Sequence, residues 1–207
     1  PGTVAPELRA EFDDLALWWV VARLGRRARE RGRERLDRLS DGYHPLEILR
    51  EGHHAAAHDA TRVFARQVGL DPDATGFRAD RAAREAALAG RLVSRGPVHD
   101  ALLAIAVSSG VSVVAVDAAG VDGEPCLRPS RVGEQLRRGR RAAALAPGTL
   151  VVADRRRPLA VLYGEPPPEL DARRARRVVL WAVEAPGAPP METSEALWNA
   201  ARFLAGD

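Results

Sequence analysis

The stretch RGPVHDALLAIAVSSGVSVVAVDAAGVDG, residues 95–123, decides how the chain is read. It opens with a helix-start signal and runs almost wholly apolar from Ala101 to Val107. It breaks at Ser108-Ser109-Gly110 and resumes as the β-branched run Val111 to Val116. A helix without a polar face has nowhere to meet water, and a short continuous apolar run after a tight turn reads as a buried strand. The stretch therefore predicts an apolar helix and an apolar strand joined at the centre of a core, with Asp100 as a cap at the helix start.

Around this centre lies a chain of 207 residues, 46% hydrophobic, the size and composition of one globular domain. The single cysteine, Cys126, excludes an internal disulfide and fits a reducing compartment. No stretch reaches the length needed to cross a bilayer, and the first residues lack the basic-then-apolar pattern of a signal peptide. A cytoplasmic location without membrane contact is expected. All 31 basic residues are arginine, yet the formal net charge is only +3. The arginines cluster at 23–38, 137–141, 155–157 and 173–177. Such clusters either bind phosphates or form solvated ion pairs with nearby Asp and Glu.

On the N-terminal side, Leu15 to Leu24 is short, aromatic and β-branched, which predicts a strand. Because strand side chains alternate, Trp18 and Trp19 must face different layers. Arg26 to Leu39 predicts an exposed charged helix with Leu36 and Leu39 as its anchors. Pro45 to Val68 predicts a second helix carrying His53, His54 and His58, and Ala79 to Leu88 a third. On the C-terminal side, Arg137 to Ala146 is a basic connector, helical or irregular. Thr149 to Val152 and Leu159 to Tyr163 predict a hairpin around Asp154 to Arg157, and Val178 to Val183 another strand. Thr193 or Ser194 caps a final helix, Glu195 to Leu204, with Leu197, Trp198, Ala201 and Leu204 facing inward. Helices at both ends with strands grouped between them predict an α+β fold, a mixed sheet with flanking helices. We expect one domain over residues 1–207, residues 1–44 being a variable strand and charged helix and residues 45–207 the core.

From about Val63 onward the order of elements resembles the B3/B4 domain of the phenylalanyl-tRNA synthetase β subunit and the stand-alone proteins built on it. The segments that carry the resemblance are FARQVGLDPDA, LAGRLVS, PVHDALLAIAVSSGVSVVAVD, LRPSRVGEQL, PGTLVVADRRRPLAVLYGE and RRVVLWAVEA. They place a Val-Asp turn at Asp100, a turn glycine at Gly110, a strand ending at Asp117, an Arg-x-x-x-x-Gly-Glu segment at Arg128 to Glu134, and an Ala-Asp hairpin at Ala153-Asp154. In the synthetase this domain hydrolyses misacylated aminoacyl-tRNA. The resemblance thus implies a tRNA partner and an aminoacyl-tRNA deacylase acting in trans, with no cofactor. The sequence departs from the editing pattern where that chemistry sits. The family's helix Asn corresponds to Leu103, its His after the turn to Val114, and its Glu on the last core strand to about Trp181. Its Arg before the helix corresponds to Arg95 only with a shift of register.

The candidate site follows from these departures. Arg95, His99 and Glu165 are the candidate catalytic groups: an ester carbonyl needs aimed donors, and water needs a base. Histidine is the side-chain type that serves as a general base near neutral pH, which makes His99 the candidate base. His54, His58, Ser108, Ser109, Val114, Tyr163 and Trp181 are candidates for the pocket. Arg137, Arg138, Arg140, Arg141, Arg155, Arg156 and Arg157 are candidates for RNA phosphate contacts. His54 and His58 share a helix face, but Ala55 stands where the zinc-protease pattern has Glu, and no metal is expected. Glu134 and Asp117 read as groups that bond loops. Three functions remain open: a trans-editing deacylase, a non-catalytic tRNA-binding module, and a small-molecule enzyme that reuses the pocket.

Overall fold

The computed structural model describes residues 1–25, 28–42, 56–75, 77–139, 141–164 and 175–206. It is an α+β fold in three layers. The middle layer is an antiparallel sheet in the order β2-β9-β3, formed by β2 (Ala16–Arg23), β9 (Arg177–Glu184) and β3 (Val114–Asp117). Against one face pack the helices α6 (Pro97–Ser109) and α7 (Glu192–Ala205). Against the other lies a mixed sheet in the order β1-β4-β7-β8. In it β1 (Thr3–Val4) runs parallel to β4 (Cys126–Pro129), and β7 (Leu150–Ala153) pairs antiparallel with β4 and with β8 (Pro158–Val161).

The alternation of side chains along β9 builds both cores. Val178, Leu180 and Ala182 turn toward the helices, while Val179, Trp181 and Val183 turn toward the mixed sheet. With both faces covered, the strand reads as an unbroken apolar run rather than an alternating one. β2 pairs with β9 along all eight of its residues, from Ala16↔Glu184 to Arg23↔Arg177. Its tryptophans part as expected. Trp18 packs in the helix-side core and donates its indole N–H to Glu184 Oε2 at 3.0 Å, and Trp19 packs in the sheet-side core.

α6 is buried all round, as its composition predicts. Val98, Ala101, Leu102 and Ile105 meet the middle sheet and α7. Leu103 and Val107 meet a third cluster with Ala86 of α5 (Arg78–Ala89) and Leu36 of α2 (Ala28–Gly42). Leu36 thus anchors an otherwise charged helix, and Leu39 packs beside it. The start of α6 is organised by Asp100, which is 2% exposed. Its carboxylate accepts from Ser94 Oγ at 2.6 Å, the Arg95 N–H at 2.9 Å and the Gly96 N–H at 3.3 Å. The N-cap position itself is Gly96, so Asp100 acts from the first turn by reaching back rather than from the cap. Gly110 ends the helix with φ +70° and donates its N–H to the Ala106 carbonyl, the turn expected there.

Three further expectations are corrected. The basic connector is neither helical nor irregular. It forms a two-stranded ribbon, β5 (Gln135–Arg138) against β6 (Arg141–Ala144), turning at Gly139. Among the ribbon's described side chains only Leu136 is buried, so the hydrophobic pattern that marks a strand is missing. The cap of α7 is not Thr193 or Ser194. The helix starts at Glu192 after Met191, which has φ 74°, and Ser194 Oγ donates back to the Met191 carbonyl. Trp198 does not face inward and is 63% exposed, although Leu197 and Leu204 are buried as expected. The expected helix over Pro45 to Val68 is described only as α3 (Ala56–Gln67). Its earlier part, with His53 and His54, lies outside the described residues.

Candidate ligand cleft

Between the middle sheet and the mixed sheet lies a partly open cleft of about 60 Å³. One water needs roughly 10–15 Å³ on this scale, so the cleft has room for several waters or one small apolar group. Its floor follows from strand alternation. Trp181 and Val183 come from β9, Val114 from β3, and Val152 and Ala160 from the facing sheet. Ser112 supplies a hydroxyl just ahead of β3, and Phe77, Arg78 and Arg81 of the α5 start stand on one side.

Leu162, Tyr163 and Gly164 form the next wall. Tyr163 has φ 54°, a left-handed backbone that a bulky side chain adopts only at a cost of about 1–3 kcal/mol. Packing holds it there. Its ring sits edge-on to Phe77, centroids 5.1 Å apart, and to Phe64 at 6.4 Å. Its hydroxyl is buried toward Thr61, and burial pushes its pKa well above the usual tyrosine value. Thr61 gives its own proton to the Ala57 carbonyl at 2.8 Å.

Behind this wall lies a polar network. His58, 1% exposed, is edge-on to Phe77 and places Nε2 3.3 Å from Asp80 Oδ1. Arg62 bridges Asp80 and Asp73. These groups fix the start of α5, and with it Phe77, Arg78 and Arg81, against α3. Arg78 and Arg81 are three apart and so lie on one helix face. Among the described residues neither has an acidic partner. Burial, with the like charge of Arg81 beside it, brings the Arg78 guanidinium down to about 10, still a full cation at neutral pH.

Of the expected pocket residues, Val114, Tyr163 and Trp181 line the cleft together. His58 stands behind its wall, and His54 lies outside the described residues. Ser108 and Ser109 bond the Ile105 carbonyl at 3.3 and 2.8 Å and do not line it. The serine that does is Ser112. Of the expected catalytic groups, Glu165 lies outside the described residues and follows the cleft residue Gly164 in sequence. Arg95 pairs with Glu85 at 3.0 Å, and His99 Nδ1 sits 3.3 Å from Asp100 Oδ1. Both belong to the start of α6, whereas the cleft adjoins its end, roughly 18 Å away at helical rise. The structure does not bring them to the cleft.

The basic clusters divide similarly. Arg156 pairs with Asp122 Oδ2 at 2.7 Å, Arg157 donates to the Gly120 carbonyl at 3.1 Å, and Arg155 lies over Gly123. Arg137 and Arg141 are exposed on the β5–β6 ribbon. Its register sets them on opposite faces. The Arg138 side chain and Arg140 lie outside what is described. The polar motifs bond their own loops. Asp117 accepts from the Ala119 N–H, Asp154 from Asp122, Arg156 and Arg157, and Glu134 holds Arg128 in a two-bond pair at 2.6 and 2.8 Å.

Sequence reasoning missed Arg78 and Arg81. Their signal was present: two arginines three apart at a predicted helix start, flanking Asp80. Among the described residues no three His, Cys, Asp or Glu side chains gather as a metal site, and no helix is long and apolar enough to cross a membrane. No family model and no curated protein matches this sequence.

Proposed function

We propose that this chain is a B3/B4-like protein that receives the aminoacyl end of a tRNA in the cleft and hydrolyses the ester in trans. The observation that carries the reading is the convergence of Val114 and Trp181. These two positions were aligned, from sequence, with polar groups of the editing site, and both line one cleft. Their replacement by apolar side chains suits an apolar amino-acid side chain rather than one read by its hydroxyl. Water activation falls to Glu165, the next residue in sequence after the cleft residue Gly164. The exposed arginines of the β5–β6 ribbon and Arg155 take RNA phosphates.

A second reading, tRNA binding without hydrolysis, is favoured by one observation. Among the described residues that line the cleft there is no carboxylate, imidazole or thiol to serve as a base. Purified protein presented with a panel of aminoacyl-tRNAs separates the two. The first reading expects ester loss on at least one member, and a fall of tenfold or more, about 1.4 kcal/mol in barrier, in Glu165→Gln. Binding that weakens with salt, without ester loss on any member, selects the second. Neither binding nor ester loss rejects both.

A further inference from the structure

We infer that Arg78 and Arg81 form an anion clamp at the cleft, taking one carboxylate or phosphate group of a ligand whose apolar part lies against Trp181 and Val114. Three observations converge on this. Both arginines line the cleft and lie on one helix face. Neither has an acidic partner among the described residues, although Asp80 sits between them in sequence; its carboxylate faces Arg62 and His58. Both stand at the start of α5, where the helix N–H groups point outward and Phe77, at the N-cap, provides no side-chain cap. Two neighbouring like charges are a repulsion that no acidic partner among the described residues offsets. One anion seated between them relieves it and can be held by several charge-assisted hydrogen bonds. The Arg62–Asp73–Asp80–His58 network supplies the rigid backing such a clamp needs.

The clamp does not rest on the tRNA reading. The anion can be the phosphate beside an aminoacyl-adenosine or the free acid group of a small molecule, and the test separates these sources. The probes are phenylacetate, its neutral amide phenylacetamide, and phenyl phosphate, titrated calorimetrically into the wild-type protein and into Arg78→Gln and Arg81→Gln. At least one of the two anions is expected to bind tenfold or more tighter than the amide, and each variant is expected to erase that preference while the fold, checked by circular dichroism, persists. A stronger phenyl phosphate identifies a phosphate ligand, and a stronger phenylacetate a free acid. Equal binding of anions and amide to wild type, which requires no variant, overturns the clamp, as does no binding at all or an anion preference that survives both substitutions. Anion binding by a protein that fails to bind aminoacyl-tRNA upholds the clamp and rejects the RNA reading.

Discussion

Asp100 shows how one side chain can be chemically conspicuous and structurally committed. Burial alone would raise its carboxyl, but the hydrogen bonds from His99, Ser94 and the Arg95 N–H outweigh burial and hold it below the usual carboxylate value. A depressed folded value contributes stability that is complete above about pH 4, the unfolded value, and is lost as pH falls through the folded one. Denaturant midpoints measured from about pH 6 down to about pH 3 should therefore drop on the acid side, and drop less steeply in Asp100→Asn. Asp100→Ala should cost about 2 kcal/mol at neutral pH, because the Arg95 and Gly96 N–H groups lose their acceptor in a buried setting. At the same scale Trp198, exposed on α7, should accept Ser within about 0.5 kcal/mol, which a thermal melt would check. The sequence made Asp100 legible as a helix-start group but not Trp198 as a surface group. A tryptophan beside a buried leucine on a helix fits an inward face, and only the angle of packing places it outside.

Among the elements, β9 and α6 were legible because each is apolar throughout, and such segments have only the interior to occupy. Leu180 on β9 is fully buried between β2 and β3, and Leu180→Ala should destabilise by about 3 kcal/mol in urea unfolding. The ribbon β5–β6 was not legible. Its residues are arginine, alanine, glutamine and one leucine, with good helix formers among them, and its strand state comes from pairing rather than from preference. β4 was hidden for a related reason: it is short, contains Pro129, and is fixed by its neighbours β1 and β7. The α5 start was found as a helix, but its arginines were not found as a site, since their meaning depends on which strands they face. Gly25 shows the same dependence. A methyl group there would collide with the Ala205 carbonyl at the end of α7, a contact between the two ends of the chain that no local pattern reveals.

For the whole molecule, the layered arrangement explains why a cleft exists where it does. The middle sheet is covered by helices on one face and by a second sheet on the other. The sheets part where Val152 and Ala160 face Trp181, small side chains against a large one. The α+β architecture followed from the order of elements, while the cleft required two sheets to meet, and no sequence pattern records their separation. The central claim is that this cleft receives the aminoacyl end of a tRNA. Its most direct test follows the indole N–H resonance of Trp181, assigned by Trp181→Phe, as aminoacyl-tRNAs are added to the protein. A saturable shift with at least one aminoacyl-tRNA, reduced when the same tRNA is uncharged, is the predicted result. Binding that leaves the Trp181 resonance in place for every member of the panel would contradict the claim.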